Sequence, residues 1–133
     1  MKNAQDRGWI AIAALSGTVS VIVGAFAAHG LDATTEAGTK AREWLQTGSH
    51  YEAVHAIAML VVAALTGGAR LKPGLAMVAQ VLFLVGGILF PGALYALAFQ
   101  GPRWFGAVAP IGGLAFILGW LTLAVAAVGR RVT

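Results

Sequence analysis

Cysteine is absent from the 133 residues. Disulfides, thiolate metal sites, iron–sulfur clusters and covalently attached c-type haem are thereby excluded, and the redox compartment stays unconstrained. Charge is scarce too: Asp, Glu, Lys and Arg make up 11% of the chain, against roughly a quarter in soluble domains. The net charge of +4 is carried by basic residues in ones and twos, with no basic run or aromatic-interleaved patch, so nucleic acid is not an expected partner. No Ser-His-Asp set, zincin motif or phosphate loop is present. Gly112-Gly113 is followed by no Lys or Ser/Thr in the P-loop manner and reads as close packing beside Pro110. The chain is not expected to be an enzyme, and no cofactor is implied.

What the chain has in abundance is apolar length. Hydrophobic residues make up 59%, more than a small soluble core can bury. They fall into four stretches free of Asp, Glu, Lys and Arg: Trp9–Ala28, Ala53–Ala69, Gly74–Gly101 and Trp104–Gly129. Each is near or above the roughly 20 residues that cross a bilayer core as a helix. The expected fold is all-α, an integral membrane four-helix bundle in a single domain, with spans about 9–28, 52–69, 74–99 and 105–128. Lys2 and Arg7 ahead of an apolar stretch ending in Ala25-Phe26-Ala27 also suit a cleavable signal peptide, but the stretch is nearer a full span than a signal core. It is expected to remain as span one.

Basic residues set an expected orientation. Lys2, Arg7, Arg70, Lys72, Arg130 and Arg131 fall on one side, and Lys40, Arg42 and Arg103 on the other. Cytoplasmic loops are enriched in Lys and Arg, so both termini are expected in the cytoplasm. Trp9 and Trp104 near span starts suit an interfacial aromatic belt. Within the first gap, Glu36, Lys40 and Glu43 share one helical face while Ala37, Ala41, Trp44, Leu45 and Gly48 take the other, with Thr34 or Thr35 as cap. A short amphipathic helix over about 34–48, lying in the interface, is the expectation. Ser49-x-x-Glu52 has the capping-box pattern that would start span two afresh, and a helix simply bending into the membrane is equally compatible.

Small residues mark the expected packing surfaces. Ser16, Ser20, Gly24 and Ala28 repeat at four-residue spacing on span one, and Gly92, Gly112, Gly113 and Gly119 offer close approach on spans three and four. Such surfaces let helices meet in a bilayer. They serve a compact monomer or pairing between subunits, leaving a homo-oligomer or a larger membrane complex as expected partners beside membrane lipids.

Four ordered blocks carry a family resemblance: Gly24-Ala25-Phe26-Ala27-Ala28-His29-Gly30-Leu31; Tyr51 with His55; Gly87-Ile88-Leu89-Phe90-Pro91-Gly92-Ala93-Leu94-Tyr95; and Pro110-Ile111-Gly112-Gly113 through Trp120. Together they resemble the YgdD-like family of small bacterial inner-membrane proteins, family 423 of the domains of unknown function. The resemblance covers almost the whole chain and implies a multi-pass inner-membrane protein without an established activity. Where the family pattern carries hydroxyl residues this chain has Pro91 and Ala93, and it has Glu52 where Gln is more frequent.

Ionisable groups within spans are functional candidates by default. His29 ends span one; His50, Tyr51, Glu52 and His55 open span two; Tyr95 lies near the end of span three. Tyr51, Glu52 and His55 are three and four residues apart and can share a helical face. His29, Tyr51, Glu52, His55 and Tyr95 are therefore expected to gather as a structural or ligand-binding polar cluster at the outer end of the bundle. His29, His55 and Glu52 are also the metal-ligand candidates, a set short of ligands. Trp120 and Phe116 read as packing or belt residues.

Three function classes follow. The first is a non-enzymatic structural or assembly protein acting through self-association or a larger complex. The second is a binder of a small molecule, lipid, haem or metal at the polar cluster. A small transporter or channel is third, because proton-coupled export calls for a mid-membrane carboxylate and Glu52 is expected at a span end.

Overall fold

A computed structural model describes residues 2–128; Arg130 and Arg131, and the side chain of Lys2, on which the charge bias partly rests, lie outside the described residues. The chain forms four helices: α1 (Lys2–His29), α2 (Glu36–Gly67), α3 (Pro73–Ala98) and α4 (Phe105–Val128). All four are long and apolar enough to cross a membrane. Short connections make successive helices antiparallel, so α1 starts and α4 finishes at one end of the bundle, here the terminal end; the opposite, loop end carries residues 30–35 and 99–104.

Local chemistry sets the boundaries. The Thr35 hydroxyl accepts from the Gly38 amide at 3.0 Å and caps α2, as Ser/Thr does at helix starts. Asp32 just before it accepts from the hydroxyl and amide of Thr34, which hold its carboxyl below the usual carboxylate range. Pro73 begins α3 in the first turn, where its missing N–H costs nothing.

The segment expected to lie in the interface over 34–48 is not a separate helix. It is the beginning of α2, which continues unbroken to Gly67. The reason is phase: Ala41, Leu45, Gly48, Glu52, His55, Met59 and Ala63 are all buried along one uninterrupted stripe, and nothing between them breaks the helix. The expected capping box does not form, since the Ser49 hydroxyl donates to the Gln46 carbonyl at 3.2 Å. The amphipathic face packs on protein: Gly48 lies so close to Tyr95 that an added Cβ would sit 2.6 Å from its ring. At 1.5 Å per residue the helix extends ~48 Å, more than the ~30 Å hydrocarbon core, so one end stands clear of it.

The main helix contacts are α1 on α2, α2 on α3 and α3 on α4. The α3–α4 seam is the closest. A Cβ at Gly112 would come 2.3 Å from the Phe90 amide nitrogen, and Gly86 and Gly119 receive the rings of Phe116 and Phe83. The buried Phe83, Val62 and Phe116 belong to one continuous core. The Lys72 amide donates to the Ala126 carbonyl at 3.2 Å, joining the α2–α3 turn to α4. Of the expected packing residues on α1, Ser20 is buried and Gly24 faces Ser49, whereas Ala28 is exposed. Gly92 is also exposed with no contact, and Gly113 is in ordinary contact with Phe90. The small-residue stripe is thus largely used inside the chain.

These contacts separate two glycines that look alike in sequence. Gly112→Ala is expected to lower stability by about 1–3 kcal/mol, the usual cost of overpacking, while Gly92→Ala leaves it unchanged or slightly higher. Thermal melts of both variants in one detergent check this; equal melting temperatures would contradict the seam.

Candidate functional site

Glu52 lies sixteen residues after the start of α2 and fifteen before its end, so each helix end is over 20 Å away along the axis, at ~1.5 Å per residue. Glu52 therefore stands in the middle of α2 and not at its start. Its side chain is 7% exposed and is held from two other helices. The Ser16 hydroxyl of α1 donates to Oε2 at 2.9 Å, and the Tyr95 hydroxyl of α3 donates to Oε1 at 2.8 Å. A carboxylate placed here needs such donors because no water is available in hydrocarbon.

One turn further along, His55 makes a different set of contacts. Its Nδ1–H donates to the Tyr51 carbonyl at 2.7 Å, and Nε2 accepts from the Trp120 indole N–H of α4 at 3.0 Å. An indole nitrogen only donates, so Nε2 carries a lone pair and the ring is the neutral Nδ1–H tautomer. Phe116 stacks on the imidazole with centroids 3.5 Å apart and planes at 10°, and the Phe83 centroid is 5.5 Å away. Both ring nitrogens are occupied.

The expected cluster therefore divides. Glu52 and Tyr95 meet, joined by Ser16. Tyr51 and His55 belong to an aromatic group with Phe116 and Trp120, in which Tyr51 packs edge-on against Phe90 at 5.0 Å. His50 is exposed, in edge contact with Tyr51. His29 does not join either group: a Cβ at Gly24 would already stand 3.6 Å from the Ser49 hydroxyl, and His29 lies exposed more than a turn beyond it, at the loop end. The error came from placing the start of span two level with the end of span one. Because α2 begins well before its apolar stretch, residues 52 and 55 fall near the middle of the helix. Among the described residues no three His, Cys, Asp or Glu gather as a metal site, so His29, His55 and Glu52 do not form the ligand set considered from sequence.

Beside Glu52 runs a crevice of about 180 Å³ between α1 and α3, floored by α2. Ser16, Glu52, His55, Met59, Phe83 and Ile88 are among its walls, and Ile88 is 62% exposed at its edge. On the loop side, Tyr95 lies across Gly48 and bonds Glu52. Sequence reasoning took Ser16 for packing alone and Trp120 for packing or belt, and passed over Gln80. Gln80 is buried and donates from Nε2 to the Met59 carbonyl at 2.9 Å; a polar residue within an otherwise apolar span was the signal that could have found it.

Two separate networks predict two independent energies. Trp120→Phe combined with His55→Leu should show a coupling of about 0.5–3 kcal/mol, whereas Trp120→Phe combined with Ser16→Ala should be additive within about 0.5 kcal/mol. Unfolding free energies from a double-mutant series in mixed micelles give both numbers.

The family model described as "Protein of unknown function (DUF423)" matches residues 23–113, a range that includes Glu52, His55, Gln80 and Tyr95. A UPF0382 membrane protein of Haemophilus influenzae is 42% identical over 93% of this chain and 93% of its own length. The UPF0382 inner membrane protein YgdD of Escherichia coli is 36% identical over 92% of this chain and 91% of its own. The UPF0382 membrane protein YwdK of Bacillus subtilis is 37% identical over 90% and 95%. No solved structure matches the chain significantly.

Proposed function

Because the chain belongs to the DUF423 family of membrane proteins of unknown function, we propose that it acts as a non-enzymatic binding protein of the bacterial inner membrane, with the crevice beside Glu52 as its ligand site. The observation that carries this reading is the buried Glu52 carboxylate, held by Ser16 and Tyr95 at the wall of a crevice whose edge is open to the bilayer. Ionisable groups at such depth are costly and are retained where they are used. The ligand that fits is small and mainly apolar, with one hydrogen-bond donor or positive group for the remaining lone pairs of Glu52. Its body packs on Met59, Phe83 and Ile88 and it enters sideways from the lipid.

Several observations favour binding over chemistry, transport or assembly. Glu52 and His55 do not bond to each other, and both nitrogens of His55 are taken, so no acid–base pair is poised over the crevice. Tyr95 lies across Gly48 and gives its hydroxyl to Glu52, so the carboxyl is tied up on the loop side. The small residues that would suit pairing between subunits mostly serve contacts within the chain, such as Gly24 on Ser49 and Gly112 on Phe90, which weakens the case for assembly through them. Curated relatives carry inner-membrane names, and the six-to-three bias of Lys and Arg supports cytoplasmic termini.

Carbodiimide labelling tests the crevice. In native membranes, lipid-soluble N,N′-dicyclohexylcarbodiimide should modify Glu52, with the adduct lost in Glu52→Gln and its formation slowed by n-butylamine. Peptide mass spectrometry locates the adduct. An unlabelled Glu52, or labelling indifferent to the amine, would refute the reading. The absence of native cysteine makes orientation equally direct: Lys40→Cys should react with a membrane-impermeant maleimide in spheroplasts, and Lys72→Cys only after permeabilisation.

A further inference from the structure

A second cavity, of about 330 Å³, opens between α1, α2 and α3 at the terminal end. Asp6 and Thr66 bring acceptors to its walls, and Gln5 and Trp9 bring N–H donors. Its lining therefore favours neither sign of charge. The crevice beside Glu52 differs, because there every donor is spent. The Ser16 hydroxyl gives its proton to Glu52, and His55 gives Nδ1–H to the Tyr51 carbonyl and takes the Trp120 N–H on Nε2. The remaining walls, among them Ala56, Met59 and Phe83, are apolar. What the polar walls have left is lone pairs, those of the Ser16 oxygen and of the Glu52 carboxylate, which has about four acceptor sites and uses two.

No counter-charge accompanies that carboxylate. Neither α3 nor α4 contains a Lys or Arg. On α2 the nearest is Arg42, ten residues before Glu52, and on α1 it is Arg7, nine residues before Ser16; at 1.5 Å per residue these lie ~15 and ~14 Å away along the axes. A buried charge is retained where something pairs with it. An alcohol fills a lone pair and leaves the charge in place, whereas a cation with N–H groups answers both. The same count excludes a phosphate or carboxylate on the ligand, since no N–H group or cation of the walls is free to receive one. At the edge of the crevice Ile12 and Ile88 are exposed, and a Cβ at Gly87 would meet nothing within 4 Å, so an apolar substituent has room to leave toward the lipid.

Resting on the crevice as the binding site, we infer that its ligand is a protonated alkylamine: a monocation that gives N–H to Glu52 and Ser16, lays an apolar chain over Met59 and Ile88, and carries no anionic group. Quaternary amines are rejected because they have no N–H to give.

Isothermal titration calorimetry of the purified full chain in mild detergent, with n-hexylammonium, 1-hexanol and n-hexyltrimethylammonium in turn, tests this ranking. The primary ammonium is expected to bind at least about tenfold tighter than either of the others, as a charge-assisted hydrogen bond exceeds a neutral one. Glu52→Gln should remove that margin, and Asp6→Asn, in the terminal cavity, should leave it unchanged. The ranking is read on the unaltered chain, with protein-free micelles as blank, so it answers even if Glu52→Gln does not fold. Equal affinity for hexylammonium and hexanol, equal affinity for the quaternary ion, or a margin lost in Asp6→Asn overturns the inference while leaving the crevice a site for other small ligands. Failure of all three to bind above the blank overturns the reading of the crevice as a ligand site as well.

Discussion

The carboxylate of Glu52 joins three helices with two hydrogen bonds, from Ser16 on α1 and Tyr95 on α3. In a bilayer the lipid tails are as apolar as the side chains, so hydrophobic burial hardly distinguishes one helix rotation from another. A polar group that must find its donors does distinguish them. With Glu52 satisfied, the small face of α1 turns toward α2, and Tyr95 lies on Gly48, its hydroxyl reaching back toward the centre of the span. The neighbouring His55 extends the same control to α4 through the Trp120 indole.

Close backbone approach supplies the other constraint. At the α3–α4 seam Gly86, Gly112 and Gly119 leave space for Phe116, the Phe90 backbone and Phe83, and dispersion over that surface replaces the missing hydrophobic drive. The two constraints work on different pairs. Glycines draw α4 onto α3, while polar contacts hold α1, α2 and α3 around a seam that is less tightly filled. The crevice and the terminal cavity both lie along that seam, one turn apart at Trp9 and Ile12 on α1. Looser packing there is what leaves the two cavities.

Gln80 stands between the two. Its amide nitrogen is tied to the carbonyl of Met59, a residue of the crevice wall, while Gln80 itself is among the walls of the terminal cavity. The same side chain thus ties the walls of the two cavities together without being part of the Glu52 network.

Four uncharged runs separated by polar gaps determined the number of helices, their antiparallel order and the membrane setting, because bilayer thickness and backbone hydrogen bonding allow few alternatives for such runs. The Thr35 cap and the amphipathic character of residues 36–48 were legible for the same local reasons. Depth and partnership were not. Whether α2 begins at residue 36 or 52 depends on what its outer face packs against, and that partner, Tyr95, is 43 residues or more away in the chain. His29 and Ser16 lie on the same helix at equally plausible spacings from the second span, and only the contact of Gly24 with Ser49 decides which of them is level with the carboxylate. Gly92 and Gly112 are chemically identical; the rotation of α3 against α4 makes one an exposed bystander and the other the point of closest backbone approach. Sequence periodicity records which residues share a face, but which helix that face meets, and at what height, is settled by contacts between distant parts of the chain.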